Sequence, residues 1–309
     1  MPMEFNMFIA DMHCDSLLTV NGDTGLVNPY NFSTNNPQLQ FVASFLEKGN
    51  TTPEQRRRQL MKHLNVYLYE CERLGLMKIQ EGRDVFRAVD NELRSVTFTV
   101  EGGGGLFDDS KELDALATAG LSVLGLCWDD NELASSAWTN NDVGLSGEGR
   151  ALVQRCNSLG VTLDVSHLSD KSFYDLMEIS PMPVLATHSN FREVSASPRN
   201  LTRDMAREIA ARGGVIGLNI YPPFLSESGK AEKEDILRHI DYGLSLLGDR
   251  HIGFGFDIDG TDGQYPAWID PTVSMHDQVI DLLLSHYSSA TVERIAGLNV
   301  IDFLKDNLS

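Results

Sequence analysis

Short apolar runs recur along the chain, and most are separated by stretches whose apolar positions fall three or four apart. MFIAD predicts a first strand and QFVASFL a second, with a polar loop between them. TTPEQRRRQLMKHLNVYLYECERLG predicts a helix. Thr52 before Pro53 supplies an N-cap and first-turn pair, Leu60, Leu64, Tyr67, Leu68 and Cys71 keep helical spacing, and Gly75 ends it. SVTFTVE predicts a third strand, KELDALATAG a helix and LSVLGLCW a fourth strand. The alternation continues through SGEGRALVQRCNSLG (helix), VTLDVSH (strand), SDKSFYDLMEIS (helix) and PVLATHS (strand). RDMAREIAARGG (helix), VIGLNIY (strand), EDILRHIDYGLSLLG (helix) and HIGFGFDID (strand) follow, and two helices close the chain.

Eight strands, most separated by a helix and apolar through most of their length, predict a parallel (β/α)8 TIM barrel. A doubly wound open sheet is the alternative. The strand count and the lack of a GxGxxG opening a helix favour the barrel. With no linker composition or repeat to divide it, the chain is expected to form one barrel domain over residues 1–309.

Polar residues break the apolar runs at one recurring place, the C-terminal end of each strand. His13 and Asp15 end the first, two positions apart with Asp11, so the three share a face of an extended chain. Glu101 ends the third strand, Trp128 the fourth before Asp129 and Asp130, His167 the fifth and His188 the sixth. Asn219 and Tyr221 end the seventh, Asp257 and Asp259 the eighth. A barrel brings all these ends to one face, where barrel enzymes place their sites.

Three imidazoles and several carboxylates are the donor types that zinc and similar divalent ions select. His13 and Asp15 can grip one ion, His167 and His188 a second, and Glu101 can bridge. Two ions about 3.5–4 Å apart polarise a carbonyl and hold a hydroxide between them. Singly, each histidine reads equally well as a core residue or a helix-cap neighbour, Ser169 being placed to cap the helix after His167. The coincidence at matching strand ends favours metal. His63, His239, His251, His276 and His286 lie in helices, at a helix start or at the wrong end of a strand, and read as structural or solvated. Gly102 to Gly105 suit a tight loop beside a pocket, and no GK[ST] follows to make them a phosphate loop.

Composition narrows the partners. Net charge is -19, from 44 acidic and 25 basic residues, which disfavours nucleic acid and anionic membrane surfaces. Hydrophobic residues make 42% of the chain, enough for a sizeable core. Cys14, Cys71, Cys127 and Cys156 form no CxxC pair, so a cysteine zinc site is not expected. MPMEFNMFIAD lacks the basic and long apolar regions of a secretory leader, no run is long enough to span a bilayer, and FLKDNLS carries no lipid-anchor tail. A cytoplasmic chain with free thiols is the expectation.

DMHCDSL, TVEGG, DVSHLSD, ATHSNFREVSASPRNLT, RGGVIGLNIY and GFGFDIDG resemble, in order, the landmarks of the renal (membrane) dipeptidase family, zinc dipeptidases of the amidohydrolase superfamily. The resemblance runs from Asp11 to Gly260 and beyond, and its motifs are specific as a set. It implies an amidohydrolase-like barrel with a dinuclear zinc site, manganese or cobalt being alternatives. His13 and Asp15 would lie on one ion, His167 and His188 on the other, with Glu101 bridging. Asp257 matches the family's catalytic aspartate, which moves a proton from the bridging water to the leaving amine. Arg199, in SPRN, matches the arginine that holds the substrate's terminal carboxylate, and Arg192 is a nearby competitor for that role. Asp259 reads as structural.

The implied substrates are small dipeptides, including those with a C-terminal D-residue, and some members also open β-lactams. A homodimer is compatible with the family. One departure concerns Trp128, which aligns where mammalian members carry a histidine that meets the substrate and the developing oxyanion. An indole offers one N–H and an apolar wall but no positive charge. Trp128 and Tyr221 are therefore candidate substrate contacts at the mouth. No leader or anchor of the mammalian kind is expected, and in that respect the chain resembles bacterial members. Another amidohydrolase reaction on the same metals (deaminase or lactonase) and an inactive metal-binding scaffold are the other readings.

Overall fold

In the computed structural model the described residues are 7–19, 32–33, 36–46, 52–106, 110–139, 141–270 and 272–308. Nine strands run in chain order: β1 Ile9–Cys14, β2 Gln38–Phe45, β3 Met77–Lys78, β4 Ser95–Glu101, β5 Leu121–Gly125, β6 Thr162–Asp164, β7 Val184–Ala186, β8 Val215–Leu218 and β9 Ile252–Phe254. All neighbouring pairs are parallel, in the order β2-β1-β9-β8-β7-β6-β5-β4-β3. A further pairing of β2 with β4 closes eight of them into a barrel, and β3 adds only to the start of β4, opposite Ser95 and Val96. The predicted (β/α)8 TIM barrel is the fold. The polar loop expected after β1 lies largely outside the described residues, as does most of the N-terminal segment read for a leader.

Local chemistry explains the elements. β1, β4 and β5 are buried along their whole length, as strands covered on both faces must be. Helix Pro53–Leu74 begins with a capping box between Thr52 and Gln55 and ends on Gly75 in the left-handed region, φ 65°. β3 and the helix Gly82–Asp90 were not anticipated. Two residues carry no periodicity, and that helix buries only Gly82, Val85 and Ala88. Its first residue, Gly82, lies close under the chain's end, where a Cβ would sit 3.0 Å from the carbonyl oxygen of Lys305 and 3.2 Å from that of Leu308. The closing segment is one nearly continuous run with a π-helical turn, Arg294–Leu298, between its α-helical parts. In that turn Gly297 lies so close to the carbonyl of Phe8 that no side chain fits.

Three of the ladders stop short of the polar residues that follow them. β6 ends at Asp164 and β7 at Ala186, so His167 and His188 stand just beyond the hydrogen-bonded sheet at the C-terminal mouth. The same holds for Asp257, three residues past β9.

Candidate active site

β1 changes its register with β2 between Asp11 and Cys14, the stretch that carries His13. His13 Nε2 lies 3.6 Å from Asp15 Oδ2, 3.6 Å from Glu101 Oε2 and 3.9 Å from Asp257 Oδ1. Glu101 Oε1, at the end of β4, is 2.7 Å from His167 Nε2 and 3.5 Å from His188 Nε2. The His13 and His188 rings meet tilted, with centroids 3.8 Å apart. The barrel thus brings His13, Asp15, Glu101, His167, His188 and Asp257 into one buried cluster. Glu101 is the member that touches both halves.

Two of these residues hold backbone conformations that only the surrounding fold can enforce. His167 has φ 69° and Asp257 φ 62°, in the left-handed region that non-glycine residues rarely enter. Such conformations cost on the order of 1–3 kcal/mol each and gather at functional sites. Gly260 serves the same cluster. A Cβ there would collide with Asp15 Oδ2 and Asp257 Oδ1 together, so a glycine is what lets the two carboxylates converge.

Burial and mutual charge set the protonation pattern. Burial pushes His167 below the ordinary imidazole range, with Arg199 and His13 adding to it. His188 is lowered the same way, by burial, His13, Arg199 and His167. Burial opposes charge on His13 as well, but Glu101 and Asp15 outweigh it and raise that group well above 6.5. Glu101 is raised to about 7 by burial, Asp15 adding and His13 opposing. Burial also raises Asp257, again with Asp15 adding, while His13, the Asn219 amide and Arg199 hold it back.

Crowded carboxylates beside imidazoles are a donor set for a divalent cation. His13 Nε2 and Asp15 Oδ1 are buried with no hydrogen-bond partner among the described residues, an arrangement that a protein-only interior avoids. His13, Glu101 and His188 offer ligand atoms within 4.8 Å of one another, and so do His13, Asp15 and Asp257. The residues fit a metal.

Around the donors runs a shell that holds them. Asn219 Nδ2 donates to Asp257 Oδ2 at 3.0 Å. Thr187 Oγ1 contacts His188 Nδ1 at 2.8 Å and donates to the Asp164 carboxylate. Trp138 Nε1 donates to His167 Nδ1 at 3.2 Å. Asp11, on the face of β1 shared with His13, turns away from the donors. Its Oδ2 contacts His276 Nε2 at 2.7 Å, while Oδ1 accepts from the backbone N–H of His13 at 3.0 Å and of Phe256 at 3.2 Å. His276 is fully buried and stacks on Phe256, with ring centroids 5.0 Å apart. Asp164, Thr187, Trp138 and the Asp11–His276 pair were not singled out as site residues from the sequence. Only Asp11 carried a signal, the two-residue spacing to His13.

Arg199 lies buried beside the cluster. Its Nη1 donates to Ser189 Oγ at 2.9 Å and its Nη2 to the His188 carbonyl at 3.0 Å, while Nε is buried without a hydrogen-bond partner among the described residues. Arg192 is engaged elsewhere. It grips both oxygens of Asp170 at 2.8 Å and the carbonyls of Asn200 and Pro198. Aromatic rings form the wall of the mouth. Trp128, half-buried, packs edge-on against Phe45 at 5.5 Å and lies 6.0 Å from the His167 ring. Trp138 packs on Phe224 at 5.5 Å, and Tyr221, half-buried, meets Phe224 at 4.9 Å. Asp259 accepts from Ser16 Oγ at 2.7 Å, and its backbone N–H bonds the Tyr265 hydroxyl, a structural placement.

A closed parallel barrel with imidazoles and carboxylates gathered at its C-terminal mouth defines a class, the metal-dependent hydrolases built on a (β/α)8 scaffold. The membrane dipeptidase family, peptidase family M19, matches residues 5–307, and the chain belongs to it as a metal-dependent dipeptidase. It is 26% identical to the crystal structure of a metallopeptidase of this family, dipeptidase AC, with a TM-score of 0.87 over 98% of this chain and 99% of that one. A metallopeptidase from Rhodobacter sphaeroides shares the fold at 24% identity, with a TM-score of 0.85 over 98% of this chain and 100% of that one. An uncharacterized Klebsiella pneumoniae protein is 29% identical over 234 residues, 72% of this chain and 86% of that protein. An uncharacterized dipeptidase of Schizosaccharomyces pombe is 31% identical over 176 residues, spanning 56% of this chain and 43% of its own length. No helix among the described residues is long and apolar enough to cross a membrane.

Proposed function

We propose that the chain hydrolyses free dipeptides with two zinc ions, and that its substrates include dipeptides with a D-residue at the C-terminal side. The observation that carries this reading is the pair of orphaned buried ligand atoms, His13 Nε2 and Asp15 Oδ1, in a cluster bordered by a buried guanidinium. His13 and Asp15 would hold one ion, His167 and His188 the other, and Glu101 both. When bound, the ions would supply Lewis acidity toward the scissile carbonyl and the attacking water.

The chain's own residues do the rest. Arg199 receives the substrate's terminal carboxylate and so places the peptide bond over the donor cluster. Asn219 pins Asp257 Oδ2, which leaves Oδ1 turned toward His13 to take a proton from the attacking water and deliver it to the leaving nitrogen. Trp128 and Tyr221 line the mouth and keep water from the substrate side chains. The four cysteines are all buried as free thiols, which fits the cytoplasmic setting we propose.

The test is amino-acid release from L-L, L-D and D-L dipeptides by zinc-loaded protein, with a chelated control. L-Ala-D-Ala belongs in the panel, since a phosphinate mimic of it is the ligand of the Rhodobacter sphaeroides structure. Chelator-sensitive release is expected. No release from any dipeptide by protein holding two ions would point to another amidohydrolase reaction or an inactive scaffold.

Arg199→Ala separates these further. Losing a charge-assisted contact to the carboxylate should lower kcat/KM by about 10–100-fold. A dipeptide amide, which lacks that carboxylate, should be cleaved equally by both proteins. An equal loss on both substrates would remove Arg199 from carboxylate recognition.

A further inference from the structure

β1 loses its alternation of sides just where it carries His13. Ile9 and Cys14 pack into one apolar cluster, Ala10 and Met12 into another. Strict alternation would put Cys14 with Ala10 and Met12, so the pattern slips once between Met12 and Cys14. The ladders slip at the same place. Asp11 pairs with Gln40 and Cys14 with Val42, so β1 carries one residue more than β2 there. On the other side Asp11 pairs with Phe254 and Cys14 with Ile258, so the chain running on from β9 carries one residue more than β1. His13 lies on one side of this irregular seam and Asp257 on the other.

One carboxylate spans the seam. Asp11 Oδ1 accepts the backbone N–H of His13 on its own strand and that of Phe256 across from it. Asp11 Oδ2 accepts from His276 Nε2. Both side chains are fully buried, so water cannot stand in for a lost contact, and a buried oxygen stripped of its donor is costly. His276 is itself fixed. It stacks on Phe256, with the ring planes 21° apart. Its neighbour Asp277 accepts from Ser33 Oγ at 2.7 Å and from Asn36 Nδ2 at 3.3 Å, which ties the start of the helix Met275–Leu284 to the chain entering β2. His276 Nδ1 is buried with no hydrogen-bond partner among the described residues, so Asp11 is the polar group that this ring is placed to meet.

We propose that Asp11 and His276 are positioning residues for one half of the donor cluster: His276 holds the Asp11 carboxylate, and that carboxylate fixes His13 and the residue before Asp257 against each other across the irregular seam. The pair acts through backbone and touches neither ion nor substrate. It sets His13 Nε2 against Asp257 Oδ1, 3.9 Å apart, so a metal donor and the proton carrier share one support. His167 and His188 hang on other bonds, those of Asp164 to the backbone and hydroxyl of Thr187 between β6 and β7. This inference rests on the two-ion reading above.

His276→Phe tests it by keeping a ring against Phe256 while removing the donor to Asp11, and His276→Gln by returning an amide N–H to the place of Nε2. His276→Leu carries the expectation of His276→Phe should the phenyl ring not fit. In a His167→Ala background, where His13 and Asp15 hold the remaining ion, adding His276→Phe should weaken zinc about tenfold by chelator competition, as loss of a group behind a ligand does. In a His13→Ala background, where His167 and His188 hold it, the same change should move the constant by less than about twofold, since the two sites share no partner with the seam. His276→Gln should match His276 in both backgrounds. In the metal-free protein with no other change, hydrogen exchange at the His13 and Phe256 amides should speed up about tenfold in His276→Phe and slow again in His276→Gln. Amides that exchange alike in all three proteins, an equal loss of zinc in both backgrounds (the mark of a barrel loosened throughout), or a glutamine that restores nothing each overturn the proposal. Amides that respond as expected in a wild type that takes only one zinc overturn the two-ion reading and leave the pair in its role.

Discussion

Asp257→Asn should lower kcat by about 10²–10⁴-fold with zinc content unchanged, the range that a positioned proton carrier contributes. The substitution is close to isosteric. Asn219 Nδ2 already donates to one carboxylate oxygen of Asp257, so the new amide will keep its oxygen toward Asn219 and turn its NH2 toward His13. The left-handed backbone at this position, φ 62°, is tolerated by asparagine as well as by aspartate, so the fold should not object. What disappears is the one atom, Oδ1, that can take a proton and return it. Metal analysis and kcat on the same preparation check both halves of the expectation. Turnover retained within a few-fold, at full zinc, would move the proton to another group. Loss of zinc together with turnover would make Asp257 a ligand rather than a proton carrier.

The barrel was legible because its signal repeats. The apolar runs are short, most are followed by a helix, and in all but the second a polar residue interrupts the run at the same point. His13, Glu101, His167, His188 and Asp257 are spread over most of the chain, yet one topological rule carries all of them to one mouth, and that is where the structure has them. The shell around them obeys no such rule. Trp138 lies in a loop without periodicity, and nothing in SSAWTNND shows that its indole meets a ring 29 positions away. Asp11 and His276 are 265 positions apart, and the histidine opens a helix, where it reads as an ordinary first-turn residue. Asp164 ends its strand buried, but its partner Thr187 belongs to the next strand unit, so the Asp164–Thr187–His188 chain exists only after β6 and β7 pair. Pattern reading finds residues that share a place in a repeating unit. It does not find contacts made across units by side chains in irregular backbone.

Glu101 carries the second large expectation. Its Oε1 faces His167 and His188 and its Oε2 faces His13, so it belongs to both halves of the cluster. Glu101→Ala should therefore weaken zinc at both positions, by about 100-fold or more at each, since even a partner outside the metal's direct ligands costs about 10–100-fold. His167→Ala, by contrast, removes a group that meets the cluster from one side, and should empty one position while His13 and Asp15 keep the other. Two binding constants measured by chelator competition distinguish the cases: both fall in Glu101→Ala, one falls in His167→Ala. Removing Glu101 also relieves carboxylate crowding against Asp15 and Asp257, which burial makes unfavourable in the metal-free protein. The metal-free Glu101→Ala protein should thus melt no lower than metal-free wild type although it binds zinc far worse. A shared loss of zinc and metal-free stability would make Glu101 a structural prop of the barrel mouth instead of a bridging ligand.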